Sequence, residues 1–193
     1  MKIEVRADGV QISGYVNVTG KQSRPVITPH GKVVEEIEPR AFQRAIERAG
    51  NVTVTMDHDK THVYACTEKG NLTLYEDEIG LHADTLISDP DVIELAKKGK
   101  IKGWSFGMYN VVDEIEARAN ELPIRKVKDL DLDHITLVVN KTPVYSATSV
   151  EVRADEEVEM ETRSVDTGVK ITGIEKPAYD NSAYKERMEQ LKK

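Results

Sequence analysis

Gly103-Trp104-Ser105-Phe106-Gly107-Met108 sets the only tryptophan of the chain, and one of its two phenylalanines, around a single serine between glycines. Large apolar side chains favour burial, and a serine hydroxyl in an apolar setting requires a hydrogen-bond partner. The hexapeptide lies within Ile101 to Val112, which reads as a strand held in place by its own aromatics. Two histidines beside acidic residues stand on either side of it, in Asp57-His58-Asp59 upstream and Asp133-His134 downstream. A serine hydroxyl becomes a useful nucleophile only beside a base. That company makes Ser105 a candidate for nucleophilic catalysis.

The composition narrows the field. A chain of 193 residues accommodates one domain plus a tail or small second element. Its 39% apolar residues suffice for one core, and its 32% charged residues keep part of the chain solvated. A net charge of −7 argues against nucleic acid as the main partner, because phosphate binding needs a concentrated basic surface. No apolar run is long enough to span a bilayer, and the segment from Met1 to Val16 lacks an apolar signal core. The single Cys66 excludes an intramolecular disulfide and fits a reducing cytoplasm. The expectation is a soluble, intracellular, mildly acidic domain with no membrane contact.

The first half reads as β-rich. Met1 to Val18 alternates loosely, with Gly9 and Gly14 as punctuation, in the manner of a hairpin or meander. Pro25 to Glu38, with its prolines and Gly31, reads as a surface loop. Ala41, Phe42, Ala45, Ile46 and Ala49 share one helical face after Pro39, and Gly50 is the stop signal. The β-branched run Asn51 to Met56 reads as a buried strand delivering Asp57, His58 and Asp59 at its end. Strands follow at Gly70 to Leu74 and Gly80 to Leu86, then a helix with Asp89 as N-cap, Pro90 in its first turn and Gly99 after it. After the Ser105 strand, Leu122 to Val127 and Asp129 to Val139 read as two further strands, the second carrying His134. From Ala154 the character changes to an acidic run, Asp155 to Glu161, and then to a stretch poor in large apolar residues. Residues 154–193 read as a flexible acidic tail, with a possible short helix at Tyr184 to Lys192.

Five histidines are available as bases. His30 lies in an expected loop, His62 just past the acidic cluster and His82 in an alternating strand, positions where histidines are usually solvated. His58 and His134 sit at or within strands, where a side chain is held rigidly. A metal centre is the competing chemistry, since Asp57, His58, Asp59 and His62 are all ligand types. Their spacing matches no compact signature, and the β-branched run before them argues against the helix that would place His58 and His62 on one face.

The order of landmarks resembles the prohead proteases of tailed bacteriophages, capsid-maturation serine peptidases similar in fold to herpesvirus assemblin. Ser13-Gly14-Tyr15-Val16-Asn17-Val18 stands for the opening Gly-Tyr strand, and Glu36-Ile37-Glu38-Pro39-Arg40-Ala41-Phe42 for an E-x-I-x-P-G-A-F helix start. Met56-Asp57-His58-Asp59 supplies the histidine flanked by acid, and Gly80-Leu81 the G-L strand. Gly99 to Gly107 matches G-x-I-x-G-x-S-F-G, and Leu132 to Val138 with Thr142-Pro143-Val144-Tyr145 matches the closing strand and P-A-Y turn. The resemblance spans about residues 10–153, six motifs in order. Arg40 departs from the usual glycine and Val144 from the usual alanine.

The resemblance implies an α+β fold with a β-barrel-like, mostly antiparallel core and a few flanking helices, assemblin-like, over residues 1–153. The tail of residues 154–193 would be a packaging signal, an autocleavage region or a scaffold remnant. It implies Ser105 as nucleophile, His58 as general base and His134 as third member, with Asp133 the fallback. Period-two alternation, however, sends Asp133 to the opposite face of its strand. His58 would take the Ser105 proton as the hydroxyl attacks a peptide carbonyl, and backbone donors, with Gly107 a weak candidate, would hold the oxyanion. The implied substrates are the capsid protein precursor or scaffold and the protease itself, inside the procapsid in the host cytoplasm, without a cofactor and with a possible homodimer. The other readings are a scaffolding protein that kept the fold, and a metal-dependent hydrolase on Asp57, His58, Asp59 and His62.

Overall fold

The computed structural model describes residues 1–29 and 31–145. The tail expected over 154–193, its helix at Tyr184 to Lys192, and His30 lie outside the described residues. The first two strands, β1 (Lys2–Val5) and β2 (Val10–Val18), form the expected hairpin. They join β7 (Leu72–Glu76) and β8 (Gly80–Ile87) in an antiparallel sheet of order β1-β2-β8-β7. Alternation along β2 and β8 sends Val10, Ile12, Leu81, Ala83 and Ile87 into the core.

The second sheet holds β3 (Gln22–Thr28), β4 (Gly31–Ile37), β5 (Thr53–Met56), β6 (Ala65–Cys66), β9 (Gly103–Glu116) and β10 (Ile124–Val138). Most pairings are antiparallel, but β4 and β5 both run parallel to β10, at Ile124–Val127 and His134–Leu137 respectively. Between those two stretches β10 has no strand partner on that edge. Helix α1 (Ala41–Arg48) covers the gap: Arg44 donates to the Lys128 carbonyl and Arg48 to the Leu130 carbonyl at 2.6 Å. Backbone acceptors that a missing strand would leave unpaired are thereby satisfied. Phe42 on the buried face of α1 meets Phe106 edge-on, with ring centroids 5.0 Å apart. Helix α2 (Pro90–Lys97) starts as expected, the Asp89 carboxylate accepting from the backbone N–H groups of Asp91 and Val92.

The α+β class and the antiparallel bias hold, yet the two sheets do not close into a barrel among the described residues. Two stretches of the chain differ from expectation. Pro25 to Glu38 is the β3–β4 hairpin rather than a loop; β3 is an edge strand, where a proline without an N–H is tolerated. The stretch from Leu122 to Val139 holds one long strand, β10 (Ile124–Val138), with register irregularities around Asp129, not two strands.

One buried ionic cluster ties the end of the described chain to this sheet. Arg125 pairs with Glu35 at 3.4 Å and with Asp113, and the Tyr145 hydroxyl donates to Glu35 at 2.9 Å. Glu35 is fully buried and Arg125 nearly so.

Candidate active site

The Ser105 stretch is a strand with two unlike faces. Trp104 and Phe106 are fully buried, and Phe106 is fixed by Phe42 and by stacking on Tyr145. Alternation puts Gly103, Ser105 and Gly107 on the opposite face. Cross-strand partners share a face, and the register pairs Ser105 with Thr136, Gly107 with His134, and Thr136 with Thr55 of β5. Three hydroxyl side chains therefore line up across β9, β10 and β5, all of them buried: Ser105 is 2% exposed, Thr136 and Thr55 0%. His134 joins that face as the diagonal neighbour of Ser105 and is itself 4% exposed.

His58 comes from the other direction. Asp57 and His58 follow β5 with φ of 47° and 64°, a left-handed pair that turns the chain sharply off the strand. Side chains nearby hold this strained turn. The Asp57 carboxylate accepts from the backbone N–H groups of Val139 at 2.9 Å and Asn140 at 3.2 Å, and from the Asn140 amide at 2.8 Å. The His58 N–H donates to the hydroxyl of Thr136, the residue that pairs with Ser105, at 3.1 Å. The His58 ring then meets the His134 ring edge to face, with Nδ1 2.8 Å from Nε2.

The chain of contacts continues past His134. Its Nδ1 lies 2.9 Å from the Asp133 carboxylate, which also pairs with Lys60. Asp133 was expected on the opposite face of the strand; a register irregularity between Leu132 and His134 breaks the alternation and lets its carboxylate reach the neighbouring ring. Burial pushes His134 below the usual histidine value, a fall only partly offset by Asp133. Burial raises the Asp133 carboxyl, but the hydrogen bonds from Lys60 and His134 outweigh it and hold that carboxyl below its ordinary range.

Gly107 has a role that sequence reasoning did not assign. A Cβ there would lie 2.3 Å from Cε1 and 2.7 Å from Nδ1 of His134, so the glycine makes room for the imidazole. The signal was in plain sight, a glycine two residues past the serine, but nothing in the sequence pairs it with His134.

The residues of the metal alternative are brought to other tasks. Asp57 bonds the β10 end, Asp59 accepts from the Thr61 backbone and hydroxyl at 2.9 and 2.6 Å, and His62 pairs with Asp89 at 3.6 Å. No cluster able to hold a metal ion occurs among the described residues. His82 packs between Tyr15 and Tyr75 on the first sheet, away from the His58–His134 pair in sequence register and sheet. No helix among the described residues is long and apolar enough to cross a membrane.

No curated protein and no solved structure matches the chain. A family model described as the caudovirus prohead serine protease matches residues 1–163. With most of its length so matched, the chain belongs to the caudovirus prohead serine proteases and is a serine-type peptidase of capsid maturation.

Proposed function

We propose that the protein is the endopeptidase that cleaves the capsid protein precursor or its scaffold, and itself, with Ser105 as nucleophile, His58 as general base and His134 as the third member. As a family member it acts on capsid proteins within the procapsid of the host cell. The observation that carries the assignment is the His58 Nδ1 to His134 Nε2 contact of 2.8 Å, formed on the buried polar face that also carries Ser105. The Thr136 hydroxyl, holding the His58 backbone at 3.1 Å opposite Ser105, supports the same reading.

In this mechanism Ser105 Oγ attacks the scissile carbonyl while His58 Nε2 takes its proton. The resulting imidazolium is stabilised through its Nδ1–H bond to His134. The histidine returns the proton to the leaving amine, an acyl-enzyme remains, and water releases it by the reverse proton path. A neutral imidazole stabilises the imidazolium less than a carboxylate would, so what stands behind His134 matters. Residues 1–153 serve as the protease domain, of assemblin-like type, with residues 154–193 as an acidic extension that is packaged or trimmed.

Co-expression with the capsid protein precursor tests this directly. Ser105→Ala should abolish processing of both proteins, read by mass spectrometry, while the purified variant keeps its melting temperature. Continued processing in that variant would remove Ser105 from the mechanism.

A further inference from the structure

Four side chains form one line of contacts: His58, His134, Asp133 and Lys60. The spacing is 2.8 Å from His58 Nδ1 to His134 Nε2 and 2.9 Å from His134 Nδ1 to Asp133 Oδ2, and the same Oδ2 meets the Lys60 ammonium. An ionised carboxylate can only accept, so the His134 Nδ1 facing it must carry a proton. A neutral imidazole has one N–H, which leaves His134 Nε2 bare and accepting. His58 Nδ1 must then donate to it, and the remaining nitrogen of His58, Nε2, is left with its lone pair. With both imidazoles neutral and the carboxylate ionised, this is the one arrangement of protons that satisfies every contact.

We propose that Asp133, with its carboxylate held by Lys60, is a positioning residue that sets the tautomers of both histidines and leaves His58 Nε2 unprotonated as the base for Ser105. The inference rests on the reading of Ser105 and His58 given above. It adds a carboxylate two rings from the nucleophile, supplying the negative charge that a neutral His134 lacks. The groups facing the His134 ring are His58 and Lys60 from the loop after β5, Asp133 from β10, and uncharged Gly107 from β9. Of these, only Asp133 is negative, so its charge opposes the burial that disfavours a cation in the pair.

Lys60 and Asp133 act with opposite sign, and this makes the proposal testable. The readout is the rate at which a fluorophosphonate probe labels Ser105 in the full chain, followed across pH. Asp133→Asn keeps an acceptor for His134 but removes the charge. Labelling should fall on the order of tenfold, within the roughly hundredfold or more that a general base supplies. The acidic limb of the pH profile should move to lower pH. Lys60→Met removes a cation and should move the same limb to higher pH. A residue that merely supported the fold would not give opposite shifts.

Nitrogen NMR of the unmutated protein, with ¹⁵N-labelled histidine, reads the tautomers without relying on any variant to fold. His58 and His134 should both carry their proton on Nδ1. Bare Nδ1 on either ring, or a limb that stays put in both variants while Ser105 is still labelled, overturns the role of Asp133. Absence of labelling at Ser105 in the unmutated protein overturns the site assignment itself, and this inference with it.

Discussion

Gly107 and His134 face each other across β9 and β10, and their fit leaves no room for a Cβ on the glycine unless the ring shifts. The imidazole is pinned by His58 on one nitrogen and Asp133 on the other, so it cannot swing away from an added methyl group. In Gly107→Ala the new Cβ would fall 2.3 Å from ring carbon Cε1, and the ring must move. A displacement approaching 1 Å costs on the order of a hundredfold in rate. Ser105 labelling should fall by about that factor, with an overpacking cost of about 1–3 kcal/mol in urea unfolding. Gly50→Ala is the control, because a Cβ there meets nothing within 4 Å. Equal labelling by the two variants would show that the ring has room. At this scale the serine and both histidines were legible as residue types and as landmarks of a resemblance. The contacts of Gly107 and Asp133 with His134 were not, since each depends on a cross-strand register or a strand irregularity. Arg40 is a further case: it takes the position of a usual glycine and adopts φ 68°, the left-handed region that glycine occupies freely.

Among the elements, β10 does most to assemble the site, since it pairs with β9, β4 and β5 and so brings Ser105, Thr55 and His134 onto one face. Its upstream half is anchored by the Arg125 cluster, where one guanidinium serves two buried carboxylates, Glu35 and Asp113. Removing a partner from such a set leaves uncompensated charge in the interior. Arg125→Met should therefore cost about 3–5 kcal/mol in urea unfolding. Tyr145→Phe, which deletes one hydrogen bond to Glu35, should cost about 1–3 kcal/mol. If Arg125→Met costs no more than Tyr145→Phe, the cluster is not the anchor of β10. Elements with an unbroken signal were legible: α1 by its apolar face and α2 by Asp89 and Pro90. The β3–β4 hairpin was not, because Pro25 and Gly31 punctuate it as they would a loop, and only its place at the sheet edge reconciles them with a strand. The continuity of β10 was hidden in the same way by the charged run Lys126 to Asp131, half of which is spent on cross-strand pairs such as Lys126–Glu116 and Lys128–Glu114.

For the molecule as a whole, acid should weaken the fold and the site together, in two stages. His134 is held below its ordinary value of 6.5, with burial the main cause, so the folded protein binds that proton less readily than the unfolded chain does. Its contribution to stability is full above pH 6.5 and is lost as the pH falls from there towards the lower folded value. The Asp133 carboxyl is raised by burial but, on balance, held below 3.8 by Lys60 and His134; its contribution persists above that pH and is lost as the pH falls through its folded value. Asp129 behaves alike: burial raises it, and the ion pairs with Arg48 and Arg44 bring it below 3.8 on balance. Both stages have the same sign, so the melting temperature should decline first below pH 6.5 and again below about 4. His134→Gln removes the buried imidazole and should flatten the first stage while leaving Asp129 to produce the second. A wild-type melting temperature that is level through the first window, or a decline that His134→Gln leaves unaltered, contradicts the placement of a neutral, buried His134. The first window also governs chemistry, because protonating His134 removes the acceptor that His58 Nδ1–H requires. Ser105 labelling should accordingly fall within the same pH range as the first loss of stability, ahead of the carboxylate stage.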